Sequence, residues 1–107
     1  MIKLVIADLS AVVRSLEKKV FSSYPEFEVI GGFSDAGLLV ENCKKIKPDL
    51  VLCSADIPNI REAVQVLSQE LKISSVVLRN NFSESILFYG ATEMQKPDFI
   101  SISKAEV

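Results

Sequence analysis

Three polar side chains in this sequence follow runs of apolar residues, where an α/β protein can place its chemistry. Asp8 follows the run Ile2–Ala7. Ser54 follows Leu50–Cys53, and Asp56 comes two residues later on the same loop. A pair of carboxylates can hold a divalent cation. A serine acts as a nucleophile only beside a base, and no such base is evident in this sequence.

The composition limits what the chain can do. It has 107 residues, of which 49% are apolar and 24% charged, which is typical of one folded domain over residues 1–107. The absence of histidine excludes histidine triads, histidine metal sites and histidine general bases. A net charge of −2 without a basic block argues against nucleic-acid binding. No apolar run is long enough to span a membrane and no signal sequence is seen, so a cytoplasmic location is predicted.

The order of apolar patterns predicts the elements that must position these residues. Short β-branched runs alternate with segments that place apolar residues on one helix face, which indicates βα units and a mostly parallel sheet with helices on both faces. Cys43 and Cys53 fall within these apolar patterns and are expected to be buried free thiols. The predicted strands are Ile2–Ala7, Phe27–Ile30, Leu50–Cys53, Ile73–Leu78 and Asp98–Ile102, and the predicted helices are Ser10–Ser22, one from Ala36 to Ile46, one from Pro58 to Leu71, and a short one over Ser83–Tyr89.

Ligands of such sheets gather at the carboxyl ends of the strands, beside the point where strand order reverses. The candidate site residues are therefore those after the first, third and fourth strands. No glycine-rich phosphate loop follows any predicted strand, and Gly31-Gly32 lacks the spacing of a dinucleotide motif. The candidates are Asp8, Leu9 and Ser10, then Ser54, Ala55 and Asp56, then Asn80 and Asn81.

Four segments, in this order and at suitable spacing, resemble a known family. They read IKLVIADLSAVVR, PEFEVIGGFSDAG, KPDLVLCSADIP and YGATEMQKP. Together they resemble the receiver domain of bacterial two-component response regulators over residues 1–97, above all the amino-terminal receiver of chemotaxis methylesterases. The resemblance implies a flavodoxin-like, doubly wound, five-stranded parallel sheet. It also implies a signalling role through a protein partner or an attached output domain, without nucleic-acid or membrane binding by this domain.

In a working receiver one aspartate accepts a phosphoryl group, and two further acids hold the magnesium ion that neutralises its charge. The resemblance places the first acid at Asp8, the second at Leu9 and the phosphoacceptor at Ser54. A serine cannot form the acyl phosphate, and Asp8 alone would bind magnesium weakly at most. We therefore interpret the site as vestigial and expect no cofactor, no metal and no enzyme activity.

The remaining positions of the family mechanism also depart from its pattern. The Thr/Ser that bonds the new phosphate falls on Asn80, and the lysine that pairs with it is either Lys96 or Lys104. Asp56 could partner Asp8 in a metal site, or accept the phosphoryl group in place of Ser54. The alternative interpretation is that Asp56 caps the helix near Pro58, and that Asp8 caps the helix near Ser10.

The last helix of a receiver is missing, since only SKAEV follows the predicted fifth strand. Either the chain is part of something longer or the domain ends there. The gap would expose apolar surface that a second copy, a partner or further chain should cover, with a homodimer as the first expectation. The residues expected near that contact are Phe99, Ile100 and Ile102, with Val12, Val13 and Leu16 opposite.

Three functions compete on these observations. The first is a degenerate receiver that is not phosphorylated at the usual position and acts through protein–protein interaction. The second, compatible with it, is the regulatory domain of a chemotaxis methylesterase or a transcriptional response regulator. The third is a small metal-dependent enzyme that uses Asp8 and Asp56, for which the acids are few.

Overall fold

The computed structural model describes residues 1–78 and the backbone of residues 86–89. Within them the chain alternates strands and helices and builds one sheet with helices on both faces, as predicted. The strands are β1 (Ile2–Ala7), β2 (Phe27–Phe33), β3 (Leu50–Ser54), β4 (Ser74–Leu78) and β5 (Ile86–Tyr89), and the helices are α1 (Ala11–Ser22), α2 (Ala36–Ile46) and α3 (Ile60–Gln69).

The sheet has the strand order β2-β1-β3-β4-β5, and its first four strands run parallel. This is the flavodoxin-like order, in which strand order reverses between β1 and β3. Strands β1 and β3 pair in register from Leu4 with Leu50 to Ala7 with Cys53. Asp8 and Ser54, the next residue of each chain segment, therefore come together at the switch point.

Each face of the sheet carries its own core, because a parallel sheet needs helices on both sides. On one face β-strand residues pack against α2 and α3, and on the other they pack against α1. The first core contains Val5, Ala7, Leu39, Cys43, Val51, Cys53, Ile57, Ile60, Ala63, Val64, Leu67, Ile73 and Val77, and the second contains Leu4, Ile6, Phe21, Phe27, Leu50, Leu52, Val76 and Leu78.

Helix α1 begins as the sequence indicates, and its two buried residues are Glu17 and Phe21. Ser10 is its N-cap, and the Ser10 hydroxyl accepts a hydrogen bond from the Val13 amide at 3.2 Å. The apolar Leu16 is 46% exposed, whereas the charged Glu17 is only 2% exposed. Phe21, one turn after Glu17, is buried beside Phe27 with the rings edge to face. An apolar count could not find this face, because a carboxylate occupies its centre.

The other two helices form where they were predicted, although α3 begins and ends two residues inside its predicted range. Asp35 caps α2 and accepts a hydrogen bond from the Leu38 amide at 2.8 Å. Helix α3 begins at Ile60, two residues after Pro58, and its N-cap is Asn59 in the left-handed region at φ 64°. None of the described helices is long and apolar enough to cross a membrane.

The short helix predicted over Ser83–Tyr89 is wrong where the structure describes it. Ile86–Tyr89 forms β5 and pairs antiparallel with β4, from Leu78–Ile86 to Ser75–Tyr89. The segment is rich in aromatic and β-branched residues, and the outer edge of β4 offers unpaired backbone groups. Pairing with β4 thus decides the structure of a segment whose sequence fits either a helix or a strand. The predicted fifth strand Asp98–Ile102 lies outside the described residues.

The bare face expected from the missing helix lies over the predicted fifth strand, outside the described residues, so it stays a prediction. The β3 and β4 side chains of the α1 face are all less than 5% exposed. On α1, two of the residues expected near the contact are exposed, Val12 at 69% and Leu16 at 46%. Phe99, Ile100 and Ile102 lie outside the described residues, and the homodimer stays a prediction. The buried β3 and β4 residues on the α1 face are Leu50, Leu52, Val76 and Leu78.

Candidate functional site

Asp8 is held in place by its neighbours at the carboxyl end of β1. Its amide donates to the Phe33 carbonyl at 3.0 Å, and its carboxylate Oδ1 accepts from the Ser10 amide at 3.0 Å. The side chain is 5% exposed. Asp8 therefore does not cap α1, a role that belongs to Ser10, but it orders the turn that leads into that cap.

Arg14 is a residue of this site that the sequence reasoning missed. It is half-buried, and its Nη1 donates to the Asp8 carbonyl oxygen at 2.6 Å. The contact joins the second turn of α1 to the end of β1 and places a positive charge beside the Asp8 backbone. No short-range motif predicts it, because the two residues are six positions apart and meet only through the β1–α1 turn.

Ser54 ends β3 and is almost completely buried, at 1% exposed. Its hydroxyl oxygen accepts a hydrogen bond from the Asp56 amide at 3.2 Å, and its carbonyl accepts from the Ile57 amide at 3.3 Å. The Ala55 amide donates to the Leu78 carbonyl at 2.8 Å, which ties the same loop to β4. The serine thus supports the loop after β3.

The two acids of the predicted pocket differ in environment. Asp8 is buried, whereas Asp56 is exposed on the loop after Ser54. Asp56 is not the cap of α3, since Asn59 occupies that position. The interpretation that Asp56 caps this helix is therefore wrong.

Leu9 lies beside Asp8 and points away from the core, with 52% of its surface exposed. The resemblance to receivers places the second acid at position 9. The described residues contain no group of three or more His, Cys, Asp or Glu side chains that could hold a metal ion. The pocket that β1 and β3 form therefore offers one buried carboxylate, a buried hydroxyl and an exposed leucine.

The other predicted site residues fall outside the part of the chain that the structure describes. Asn80, at the predicted switch position, follows the last described residue of β4. Lys96 and Lys104, the two candidates for the lysine, lie further on. Their roles stay predictions.

Both cysteines are free and buried, as predicted. Burial raises the pKa of the Cys43 thiol from 9.0 to about 11. Burial also raises the pKa of Cys53 from 9.0 to about 12, and the negative charges of Glu17 and of a Cys43 thiolate add to the rise. A thiol with so high a pKa stays protonated near neutral pH and is a poor nucleophile.

The sequence has relatives among chemotaxis enzymes. The protein-glutamate methylesterase/protein-glutamine glutaminase 2 of Oleidesulfovibrio alaskensis is 33% identical over 105 residues, a stretch that covers 90% of this chain and 30% of that protein. A second such enzyme, from Xanthomonas campestris, is 28% identical over 109 residues and is likewise matched over 30% of its length. The chain thus spans about a third of the curated relatives it matches. No family model matches it.

Solved structures agree on the fold. The response regulator domain of Thermotoga maritima CheB superposes with a TM-score of 0.71 at 24% identity, covering 80% of this chain and 66% of that domain. The strand order, and the position of Asp8 and Ser54 at its switch point, are those of the receiver fold. Within that class, the resemblance to the amino-terminal receivers of the chemotaxis methylesterases is confirmed.

Proposed function

We propose that this chain is a degenerate receiver module that signals through protein contact without phosphorylation at the usual position. The observation that carries the proposal is Ser54. It stands at the carboxyl end of β3 beside Asp8, where a receiver keeps its phosphoacceptor, and it is 1% exposed. An attacking oxygen there would need a base, an open approach and a metal-bound phosphoryl donor.

The chemistry of the pocket supports this proposal. A serine ester of phosphate is not the reactive acyl phosphate by which receivers pass on a signal. Moreover, Leu9 brings no ligand for magnesium, and a single buried carboxylate at Asp8 binds that ion weakly. The loop after β3 is already held by the hydrogen bond from the Asp56 amide to the Ser54 hydroxyl at 3.2 Å.

The type of partner follows from the relatives. The methylesterases that resemble this chain are longer, and the chain matches only 30% of the first of them. A CheY6 from R. sphaeroides, solved in complex with the P1 domain of CheA3, has the same fold with a TM-score of 0.68 and 15% identity. We infer that this domain contacts either an attached output domain, as in a methylesterase or transcriptional regulator, or a separate protein. It contributes no catalytic group itself.

Phosphorylation in vitro tests the proposal. The protein is incubated with acetyl phosphate and MgCl₂ and its intact mass is measured. We expect no mass increase, because no carboxylate stands at the end of β3. The matched positive control is the Leu9→Asp/Ser54→Asp variant under the same conditions. A hydroxylamine-labile phosphoryl group on the unmodified protein, lost in the Asp56→Asn variant, would make Asp56 the acceptor and overturn the proposal.

A further inference from the structure

A groove of about 520 Å³ opens beside the Asp8–Ser54 site, between the first turns of α2 and α3. Its floor is apolar. Ala63 is buried there, and Val40 and Val66 are half-buried. The volume lies in the range of sites that bind small ligands or single side chains, about 300–1,000 Å³.

Leu9 lines this groove, as do Ile57 and Pro58. It is 52% exposed, although it follows a strand whose last four residues are buried. The resemblance to receivers places an acid at this position, so leucine both removes a magnesium ligand and adds an apolar wall to the groove. Leu9 therefore belongs both to the vestigial site and to the lining of the groove.

The rim of the groove is negative. Asp35 and Glu62 are its charged residues, and no lysine or arginine lines it within the described chain. Both acids are exposed. Glu62 lies in the first turn of α3, and Asp35 is the N-cap of α2. Such a rim repels anions and attracts cations, while the floor favours an aliphatic or aromatic group.

We propose that this groove binds a short segment of a partner protein that places an apolar side chain beside a lysine or arginine. The apolar side chain lies on Val40, Ala63 and Leu9, and the basic side chain meets Glu62 and Asp35 at the rim. The inference rests on the proposed function, because it supplies the contact surface of a receiver that does not use phosphorylation. It assigns that contact to the α2–α3 side of the site.

Chemical-shift mapping by NMR on the ¹⁵N-labelled 107-residue chain tests the groove, since it detects weak ligands. The probe is an N-acetylated leucyl-arginine amide, and the matched control is the leucyl-glutamate amide. We expect the arginine probe to shift amides of residues 34–40 and 57–66, to saturate, and to weaken as NaCl is raised. The glutamate probe should bind at least several-fold more weakly. Shifts that map elsewhere, or equal binding of both probes, overturn the inference.

Two pairs of variants separate the apolar from the charged contribution. Leu9→Ala should weaken binding by about tenfold, as expected when a leucine contact is truncated, whereas Leu38→Ala should not, because this equally exposed leucine lies outside the groove. Glu62→Gln should weaken it by about two- to fivefold, the size of an exposed ion pair. Glu70→Gln, at the C-cap of α3 and outside the groove, should have no effect. If neither Leu9→Ala nor Glu62→Gln differs from its control, the groove is not the site.

The same samples tell a failure of the groove from a failure of the proposed function. Beryllofluoride with MgCl₂ is added without the probe. Spectral changes at Asp8 and Ser54 would show a working phosphoryl site and contradict the proposed function, whatever the probe does. An unchanged spectrum together with no binding of the arginine probe would leave the phosphorylation-independent module intact and refute the groove alone.

Discussion

Restoring two acids should rebuild a magnesium site at the end of β1 and β3, at a cost in stability. The change is Leu9→Asp with Ser54→Asp. Ala7 and Cys53 are paired in register, and neighbouring strands lie about 4.8 Å apart, so the new carboxylate at position 54 faces Asp8 at about 5 Å. Asp8 is 5% exposed and Ser54 is 1% exposed, so the two charges share a nearly dry site.

The cost follows from Coulomb's law. Two unit charges about 5 Å apart repel by about 3 kcal/mol at an effective dielectric constant of about 20. The free energy of unfolding should therefore fall by about 3 kcal/mol at neutral pH without metal. Burial and the neighbouring charge raise the pKa of the introduced carboxyl at position 54 above its value in the unfolded chain. The penalty is thus present above that raised pKa and disappears as the pH falls below the unfolded value.

Magnesium should offset part of this loss. A site of a few carboxylates and waters should bind the ion in about the sub-millimolar to millimolar range. At about 10 mM MgCl₂ and a dissociation constant of about 1 mM, binding adds about 1.4 kcal/mol to the free energy of unfolding. Urea unfolding followed by circular dichroism, with and without MgCl₂, measures both terms.

The matched control is Leu9→Asn with Ser54→Asn, which has nearly the same size and no charge. It should lose less stability than the acidic variant and should not respond to MgCl₂. A sodium chloride series at equal ionic strength separates magnesium binding from screening. If the acidic variant gains no stability from magnesium beyond that series, Asp8 and residue 54 do not form a shared pocket. The assignment of Ser54 to the phosphoacceptor position would then be wrong.

Two further predictions concern the core. Leu67→Ala should lower the free energy of unfolding by about 2–5 kcal/mol in urea, because Leu67 is 0% exposed, whereas the exposed Leu38→Ala should change it by at most about 0.5 kcal/mol. The buried thiols of Cys43 and Cys53, with pKa values of about 11 and about 12, should make stability fall as the pH rises above 9.0. The unfolded thiols release protons there and the folded ones do not. The expected slope is about 1.4 kcal/mol per pH unit for each thiol, and Cys53→Val should remove the contribution of one thiol. A free energy of unfolding in urea that does not change with pH in this range would contradict the prediction.

The parts of the fold that the sequence predicted are those in which local and tertiary preferences agree. The apolar runs Leu4–Ala7 of β1 and Leu50–Cys53 of β3 have the length of strands, and both are buried as strands. Ser10 and Asp35 cap the helices that follow them, since their side chains reach the amides three residues on. Of the four segments that resemble receivers, the first three each contain the end of a strand and the residues that follow it.

Prediction from the sequence was wrong where a contact between distant segments selects one of two possible local structures. Ile86–Tyr89 fits a helix turn or a strand, and the free edge of β4 selects the strand. The buried Glu17 could not be predicted either, because a charge counts as a surface residue in any apolar pattern. The link from Arg14 to the Asp8 carbonyl depends on the angle between α1 and β1, which no spacing rule gives.

The sequence by itself determined which chemical groups this protein presents. Leu9 and Ser54 carry no carboxylate, whatever the fold. Only the tertiary structure decided which surfaces those residues create. Parallel pairing brings the ends of β1 and β3 together, and the packing of α2 against α3 forms a groove that Leu9 also lines. Side-chain chemistry is local, whereas a surface is made by segments far apart in the chain, whose arrangement depends on the packing of the whole sheet.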